Sequence, residues 1–161
     1  MANLVYGTNS SETINVLDGV TNGYDLIYGY GGNDAIYGLG GDDYIVGGTG
    51  ADALNGGIGS DTASYFTSAA GIVASLTAGE GFGGDAEGDT YASIENLVGT
   101  AYADALVGDD DSNSLSGLSG DDSLDGVHTA SAFEHVVART APQFVVAVPA
   151  VEGVVAGQSG Q

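Results

Sequence analysis

The chain has no cysteine and no tryptophan, and Arg139 is the single residue of the Lys and Arg types among 161 residues. Without cysteine there can be no disulfide and no thiolate zinc site. With one arginine and no lysine there is no surface to grip phosphates, which argues against a nucleic-acid partner. An anionic membrane surface is unfavourable for the same reason. No run of 18 apolar residues occurs, so no transmembrane helix and no membrane insertion are expected. The start, Met-Ala-Asn-Leu-Val-Tyr-Gly, lacks a basic segment followed by an apolar run, so no secretory signal peptide is expected.

What the chain has instead is acid and glycine. The 22 Asp and Glu residues give a formal net charge of −21, and there are 29 Gly against two Pro. Like-charge repulsion of this size opposes a compact state. Either the chain is disordered or another cation supplies the missing charge. Disorder fits poorly with 43% hydrophobic residues and a mean hydropathy of +0.12. So many glycines weaken ordinary helices and strands. They suit a chain that needs left-handed backbone and close approach at many points.

The acids and glycines are periodic. Asp25, Asp34, Asp43, Asp52 and Asp61 are spaced nine apart, and Ile27, Ile36, Ile45, Leu54 and Ala63 follow two residues later. Gly29, Gly38, Gly47 and Gly56 keep the same spacing, as do Gly23, Gly32, Gly41, Gly50 and Gly59. A second block repeats it with Glu95, Asp104, Asn113 and Asp122, then Leu97, Leu106, Leu115 and Leu124. A looser copy, Gly7 to Asn15, opens the chain, with four residues inserted around Asp18 to Thr21. The organisation is therefore a first block at 1–61, a non-repeat loop or β-excursion at 62–93, a second block at 94–126 and a different segment at 127–161. The last is a cap, a tail or a secretion signal. Within it, residues 127–139 fit one short helix, with Phe133, Val136 and Val137 on one face.

Each unit has a turn half, G-G-x-G-x-D, and an extended half, x-U-x, with U apolar. Extended neighbours point to opposite faces, so U turns inward and its neighbours outward. Two units close one coil of 18 residues, and coils stack about 4.8 Å apart as parallel strands. The expected fold is all-β, a parallel β-roll. Asp25, Asp43 and Asp61 then form one row, with Asp34 and Asp52 on the opposite edge. Carboxylates stacked this closely repel unless a cation lies between them. A flexible, all-oxygen setting suits Ca²⁺ better than Mg²⁺, and a transition metal would prefer His or Cys.

The motif G-G-x-G-x-D-x-U-x resembles the calcium-binding nonapeptide of RTX (repeats-in-toxin, haemolysin-type) proteins, a pattern named among the known repeat architectures. The best matches are Gly29 to Ile36, Gly38 to Ile45, Gly47 to Leu54 and Gly56 to Ala63. The resemblance implies a right-handed β-solenoid with two nonapeptides per coil and several Ca²⁺ ions at the turns on each edge. It implies carboxylate ligation by Asp25, Asp34, Asp43, Asp52, Asp61, Asp104 and Asp122. Turn positions implied to complete the sites are Gly29, Gly31 and Gly32; Gly38, Gly40 and Gly41; Gly47, Gly48, Thr49 and Gly50; Gly56, Gly57 and Gly59; and Gly117. Tyr30 and Leu39 depart from the pattern at position two, Tyr102 and Asp111 at position four, and Glu95 and Asn113 at the acid. Asp109, Asp110 and Asp111 offer substitute oxygens in the second block.

Asp42, Asp121 and Asp125 read as solvated turn residues. Tyr24, Tyr28, Tyr37 and Tyr44 flank strands, where β-propensity explains them, although outward rings can also stack on sugars. His128, Glu134 and His135 match no metalloprotease spacing, and no serine has an evident base, so catalysis is not expected. The function implied is a calcium-binding module of a secreted bacterial protein. It would leave by a type I secretion machinery, fold on Ca²⁺ outside the cell and act as a monomer. The rival readings are an accessory module of a polysaccharide-modifying enzyme, similar to the R-modules of alginate epimerases, and a structural or adhesive surface protein.

Overall fold

The computed structural model describes residues 3–126 and two short strands beyond them, at 135–136 and 144–145. The first coils carry β1 (Asn3–Tyr6), β2 (Thr13–Ile14), β3 (Asp25–Tyr28), β4 (Ala35–Tyr37), β5 (Tyr44–Val46), β6 (Ala53–Asn55) and β7 (Thr62–Ser64). Next come β8 (Val73–Ser75), β9 (Glu80–Phe82) and β10 (Thr90–Ala92). The last coils carry β11 (Asn96–Val98), β12 (Ala105–Val107), β13 (Ser114–Ser116), β14 (Ser123–Asp125), β15 (His135–Val136) and β16 (Phe144–Val145). Most strands are three residues long because glycine-rich turns bound every x-U-x segment.

Successive strands fall alternately into two sheets. One runs β1-β3-β5-β7-β11-β13-β15 and the other β16-β14-β12-β8-β9-β10-β6-β4-β2. Pairing is parallel throughout, except where β9 runs antiparallel to β8 and β10. The chain is thus an all-β parallel β-roll. Its register is two nine-residue units: Ile27 pairs Ile45, Ile45 pairs Ala63 and Ile36 pairs Leu54, while the four-residue insertion sets Val5 beside Ile27 and Ile14 beside Ile36. These residues and Leu97, Leu106, Leu115 and Leu124 are almost fully buried. Each large aliphatic side chain so buried contributes roughly 1.5–3 kcal/mol.

The stretch between the blocks interrupts one sheet and not the other. β7 pairs directly with β11, with Ala63 beside Leu97. On the opposite sheet the chain lays down β8 beside β12, returns through β9, and sets β10 beside β6. Three strands stand there against a single step across the roll. Tyr65, Ile72 and Ile94 add bulk to the core where the columns carry only Ala63 and Ala74. The chain entering the insertion near Asp18 forms a 3-10 turn, Val16–Asp18, capped by the Asn15 side chain and closed by Gly19 at φ 105°.

The helix expected across 127–139 is corrected at His135–Val136, which is strand β15, paired in register with Ser114 and Leu115. An open sheet edge presents unpaired N–H and C=O groups, and a further strand satisfies them. The rest of that expectation, including the side chains of His128, Glu134, His135 and Arg139, lies outside the described residues. Among the described residues no helix is long and apolar enough to cross a membrane.

Candidate metal centre

The acids do form two rows, and hydrogen bonds join them. The backbone N–H of Asp25 donates to Oδ1 of Asp43 at 2.8 Å, and that of Asp43 to Oδ1 of Asp61 at 2.7 Å. On the other edge the N–H of Glu12 donates to Asp34 Oδ1 at 2.9 Å, and that of Asp34 to Asp52 Oδ1 at 2.8 Å. In the second block the N–H of Asp104 donates to Asp122 Oδ1 at 3.0 Å. Each carboxylate thus binds the coil before it through one oxygen. Position and burial follow from the sequence: the acid opens the extended half, two residues before the inward U.

The second oxygen is the telling one. Oδ2 of Asp34, Asp43, Asp52 and Asp61 is buried and has no hydrogen-bond partner. A buried, unpaired carboxylate is among the costliest features a fold can hold. Burial first, then neighbouring acids, push the Asp43 and Asp52 carboxyls up to about 6. Burial also raises Asp34 and Asp61. The glycine five residues before each acid leaves room beside that oxygen. A Cβ on Gly38 would stand 2.5 Å from both Asp43 Oδ2 and the carbonyl oxygen of Gly56. One on Gly29 would stand 2.8 Å from Asp34 Oδ2, and Gly47 and Gly56 pack likewise on Asp52 and Asp61. At Asp34, Asp43 and Asp61 the glycine thus leaves open a space that borders both the orphaned oxygen and a backbone carbonyl oxygen, of Gly47, Gly56 and Ser93 in turn.

The other turn residues stack coil on coil. Gly31 bridges Thr49, and Gly40 bridges Ile58. Gly32 N–H donates to Thr49 O at 2.9 Å and Gly41 N–H to Ile58 O at 2.8 Å. Gly50 packs on the carbonyl of Gly32 and Gly59 on that of Gly41. Gly48 and Gly57, four residues before their acids, have φ 101° and 102°, in the left-handed region. Among the described residues no three His, Asp or Glu side chains converge on one point. Any cation here is held by one or two carboxylates and backbone carbonyls. An all-oxygen donor set of that kind, with a negative group left unpaired, fits a hard divalent cation.

Comparison with protein families matches residues 20–45, 28–63 and 94–126 to the RTX calcium-binding nonapeptide repeat, in a four-copy form. The chain carries RTX calcium-binding nonapeptide repeats over these residues. A comparison with curated proteins finds no match. RTX repeats bind calcium, so the chain is a calcium-binding repeat module.

Not every RTX turn has the same chemistry. Asp25 receives Thr21 N–H at 2.8 Å, the Thr21 hydroxyl and the Asn3 amide. Asp104 receives Thr100 N–H at 2.6 Å, the Thr100 hydroxyl and Ile72 N–H. Asn113 receives Asp109 N–H at 2.7 Å, and Glu12 receives the N–H of Thr8. These turns close on themselves. In each, the residue four before the acid points its own N–H at the carboxylate or amide. The turn of Asp122 shares the backbone conformation of the first block, with Leu118 at φ 62° and Gly117 packed on the carboxylate. Tyr30 and Leu39, the two departures at position two, both adopt φ 72°, so the left-handed turn persists without glycine.

Two acids beyond the expected ligands complete the rows. Glu95 accepts the N–H of Asp61 at 2.7 Å and extends that edge across the interruption. Asp89 accepts the N–H of Asp52 at 2.7 Å on the other edge. Asp89 stands in the excursion where no period points to it. Its surviving signal is Asp89-Thr-Tyr91-Ala, a D-x-U-x half whose turn half is altered. Its second oxygen accepts the Tyr65 hydroxyl at 2.7 Å, and Tyr65 in turn meets Tyr91 at 2.7 Å. Burial pushes the Asp89 carboxyl up to about 7. Asp42, expected to be a plain turn residue, accepts Ser60 N–H at 3.0 Å and so ties adjacent turns together.

Proposed function

We propose that the chain is a calcium-folded β-roll module of a secreted bacterial protein. Inside the cell, where Ca²⁺ is scarce, the −21 chain stays expanded and exportable; outside, Ca²⁺ lets it fold. The observation that carries this reading is the set of four buried Oδ2 atoms without partners. Without a cation each is an unpaired buried charge, so the fold is unfavourable; with one, the same atoms hold it together. In this reading Asp34, Asp43, Asp52 and Asp61, with carbonyls from their turns, hold the ions. The role is non-catalytic, and export runs through a type I system that reads residues near the C-terminus.

Far-ultraviolet circular dichroism in EDTA and then in millimolar Ca²⁺ tests this directly. The expected spectrum is largely unfolded in EDTA and β-rich in Ca²⁺, with four ions counted by native mass spectrometry. An identical folded spectrum in EDTA would sink the proposal. Deleting residues 127–161 separates the two roles of that segment: lost export with intact Ca²⁺ folding marks a signal, and lost folding marks a cap.

A further inference from the structure

The outward face of the first sheet carries a feature that calcium does not explain. Outward residues form two columns, Leu4–Leu26–Tyr44 and Tyr6–Tyr28–Val46, in register across β1, β3 and β5. The corresponding outward positions of β7, β11 and β13 are Thr62 and Ser64, Asn96 and Val98, and Ser114 and Ser116. The later strands fold in the same register with small or polar residues there. Strand formation therefore does not require the aromatics. Tyr6 is 55% exposed, Tyr30 49% and Leu4 49%, so that end of the patch is open to solvent, while Val46 at its other end is buried.

Tyr6, Tyr28 and Tyr30 lie within 27° of parallel, with centroids 5.8, 6.1 and 6.3 Å apart. Three rings at near-equal separations cannot form one column, in which the outer pair would stand twice as far apart as neighbours. They make a cluster of similarly oriented rings beside a groove of about 570 Å³. Thr49, Thr67 and Asp85 also line that groove. A second hollow, lined by Tyr24, Tyr44 and Phe66, shares Leu26 and Tyr28 with the first. Flat apolar faces with a few hydroxyl and carboxylate groups along an extended strip suit a chain-like ligand that is itself flat, apolar on its faces and rich in hydroxyls.

We propose that this face binds a neutral oligosaccharide, whose pyranose rings lie on Tyr6, Tyr28 and Tyr30 while its hydroxyls bond Asp85, Thr49 and Thr67. Charge decides against an anionic polymer, since the chain carries −21 with a single residue of the Lys and Arg types. The carboxylate decides against a proline-rich peptide, the other common ligand of aromatic grooves. Asp85 ionised only accepts hydrogen bonds, whereas such a peptide offers mainly carbonyl acceptors. A sugar offers donors on every carbon that bears a hydroxyl. Two hollows that share lining residues suit a ligand more than one sugar long.

The test uses the full chain, folded in Ca²⁺ as monitored by circular dichroism, and isothermal titration with cellohexaose, laminarihexaose and xylohexaose. At least one is expected to bind saturably. Tyr6→Ala and Tyr28→Ala are expected to weaken it about tenfold or more, because aromatic anchors dominate such contacts. Asp85→Asn should weaken it several-fold, while Tyr37→Ala, on the other sheet, should leave it unchanged. Should Tyr28→Ala fail to fold, Tyr6→Ala and Asp85→Asn carry the test, as their side chains are not core. The proposal is overturned if none of the three binds the calcium-folded chain, or if binding ignores the tyrosines. It is equally overturned if oligoguluronate or decaproline binds in their place. Dimerisation that Tyr6→Ala abolishes, without sugar binding, assigns the face to a second copy and overturns it too. None of these outcomes touches the calcium reading, which the dichroism reports separately.

Discussion

The open turns of Asp34, Asp43, Asp52 and Asp61 and the closed turns of Asp25 and Asp104 place the same side chain at the same point of the same roll. They differ in who satisfies it. In the open turns one carboxylate oxygen has no protein donor. In the closed turns the N–H of Thr21 or Thr100 donates to that oxygen, with the threonine hydroxyl adding a bond to Oδ2 of Asp25 and to Oδ1 of Asp104. The switch lies four residues before the acid. Where that residue has positive φ, as at Tyr30, Leu39, Gly48 and Gly57, the carboxylate keeps an orphaned oxygen. Where it is Thr in ordinary backbone, the turn supplies its own donor. A nine-residue repeat can therefore differ from turn to turn in whether the chain itself satisfies both oxygens of the acid.

Paired isosteric substitutions break this comparison most directly. Asp52→Asn keeps the oxygen that Asp34 N–H uses and removes the charge that awaits a cation. Its ion count by native mass spectrometry should fall by one, and its Ca²⁺ midpoint should rise about tenfold or more. Asp104→Asn removes an acceptor from Thr100 N–H instead, and should cost about 1–2 kcal/mol in urea unfolding under saturating Ca²⁺. Its ion count should equal that of the unsubstituted chain. Equal ion losses in both variants would erase the distinction between open and closed turns.

Acid sharpens the same contrast with a smaller effect. Burial lifts the carboxyls of Asp43 and Asp52 to about 6 and of Asp89 to about 7. The unfolded chain titrates these groups lower, near 4. Between those limits the folded chain binds more protons, so the calcium-free fold is most stable below about pH 4 and weakens as pH rises through 6 to 7. Protons then stand in for the missing cation. Circular dichroism in EDTA should show more β-structure at pH 4 than at pH 7.5. With calcium present the trend reverses, since ligand carboxylates must be ionised, and the Ca²⁺ midpoint should weaken below about pH 6. An EDTA sample equally unfolded at both pH values would count against orphaned carboxylates as the obstacle to folding.

The roll was legible because its signal is periodic: Ile27–Ile45–Ala63 and Ile36–Leu54 are columns in both sequence and structure, while Val5 joins the first only in the structure. The open-or-closed distinction was not, because position two was read for glycine and the decisive property is backbone conformation. Tyr30 and Leu39 look like departures and adopt the glycine-like φ; Thr100 occupies the same slot and does not. Asp89 was missed because an excursion of altered length moves it off the nine-residue grid. β-propensity explains Tyr28 as well as sugar stacking does in the sequence, because sequence alone cannot show that it shares one patch with Tyr6 and Tyr30.

The smallest effect tests the backbone switch itself. Leu118 holds φ 62° in the turn of Asp122, a conformation that costs a non-glycine residue about 1–2 kcal/mol. Glycine relieves that strain but adds freedom to the unfolded chain, worth about 0.4–1 kcal/mol. Leu118→Gly should therefore raise stability by about 1 kcal/mol or less. Leu39→Gly relieves the same strain at φ 72°, yet Leu39 packs against the core, and the lost burial of about 1–2 kcal/mol outweighs the relief. The two substitutions should move the urea midpoint in opposite directions under saturating Ca²⁺, while both keep the full ion count. If both destabilise alike, left-handed strain is not what these leucines contribute, and the side chain at this position, rather than its backbone, sets whether the turn stays open.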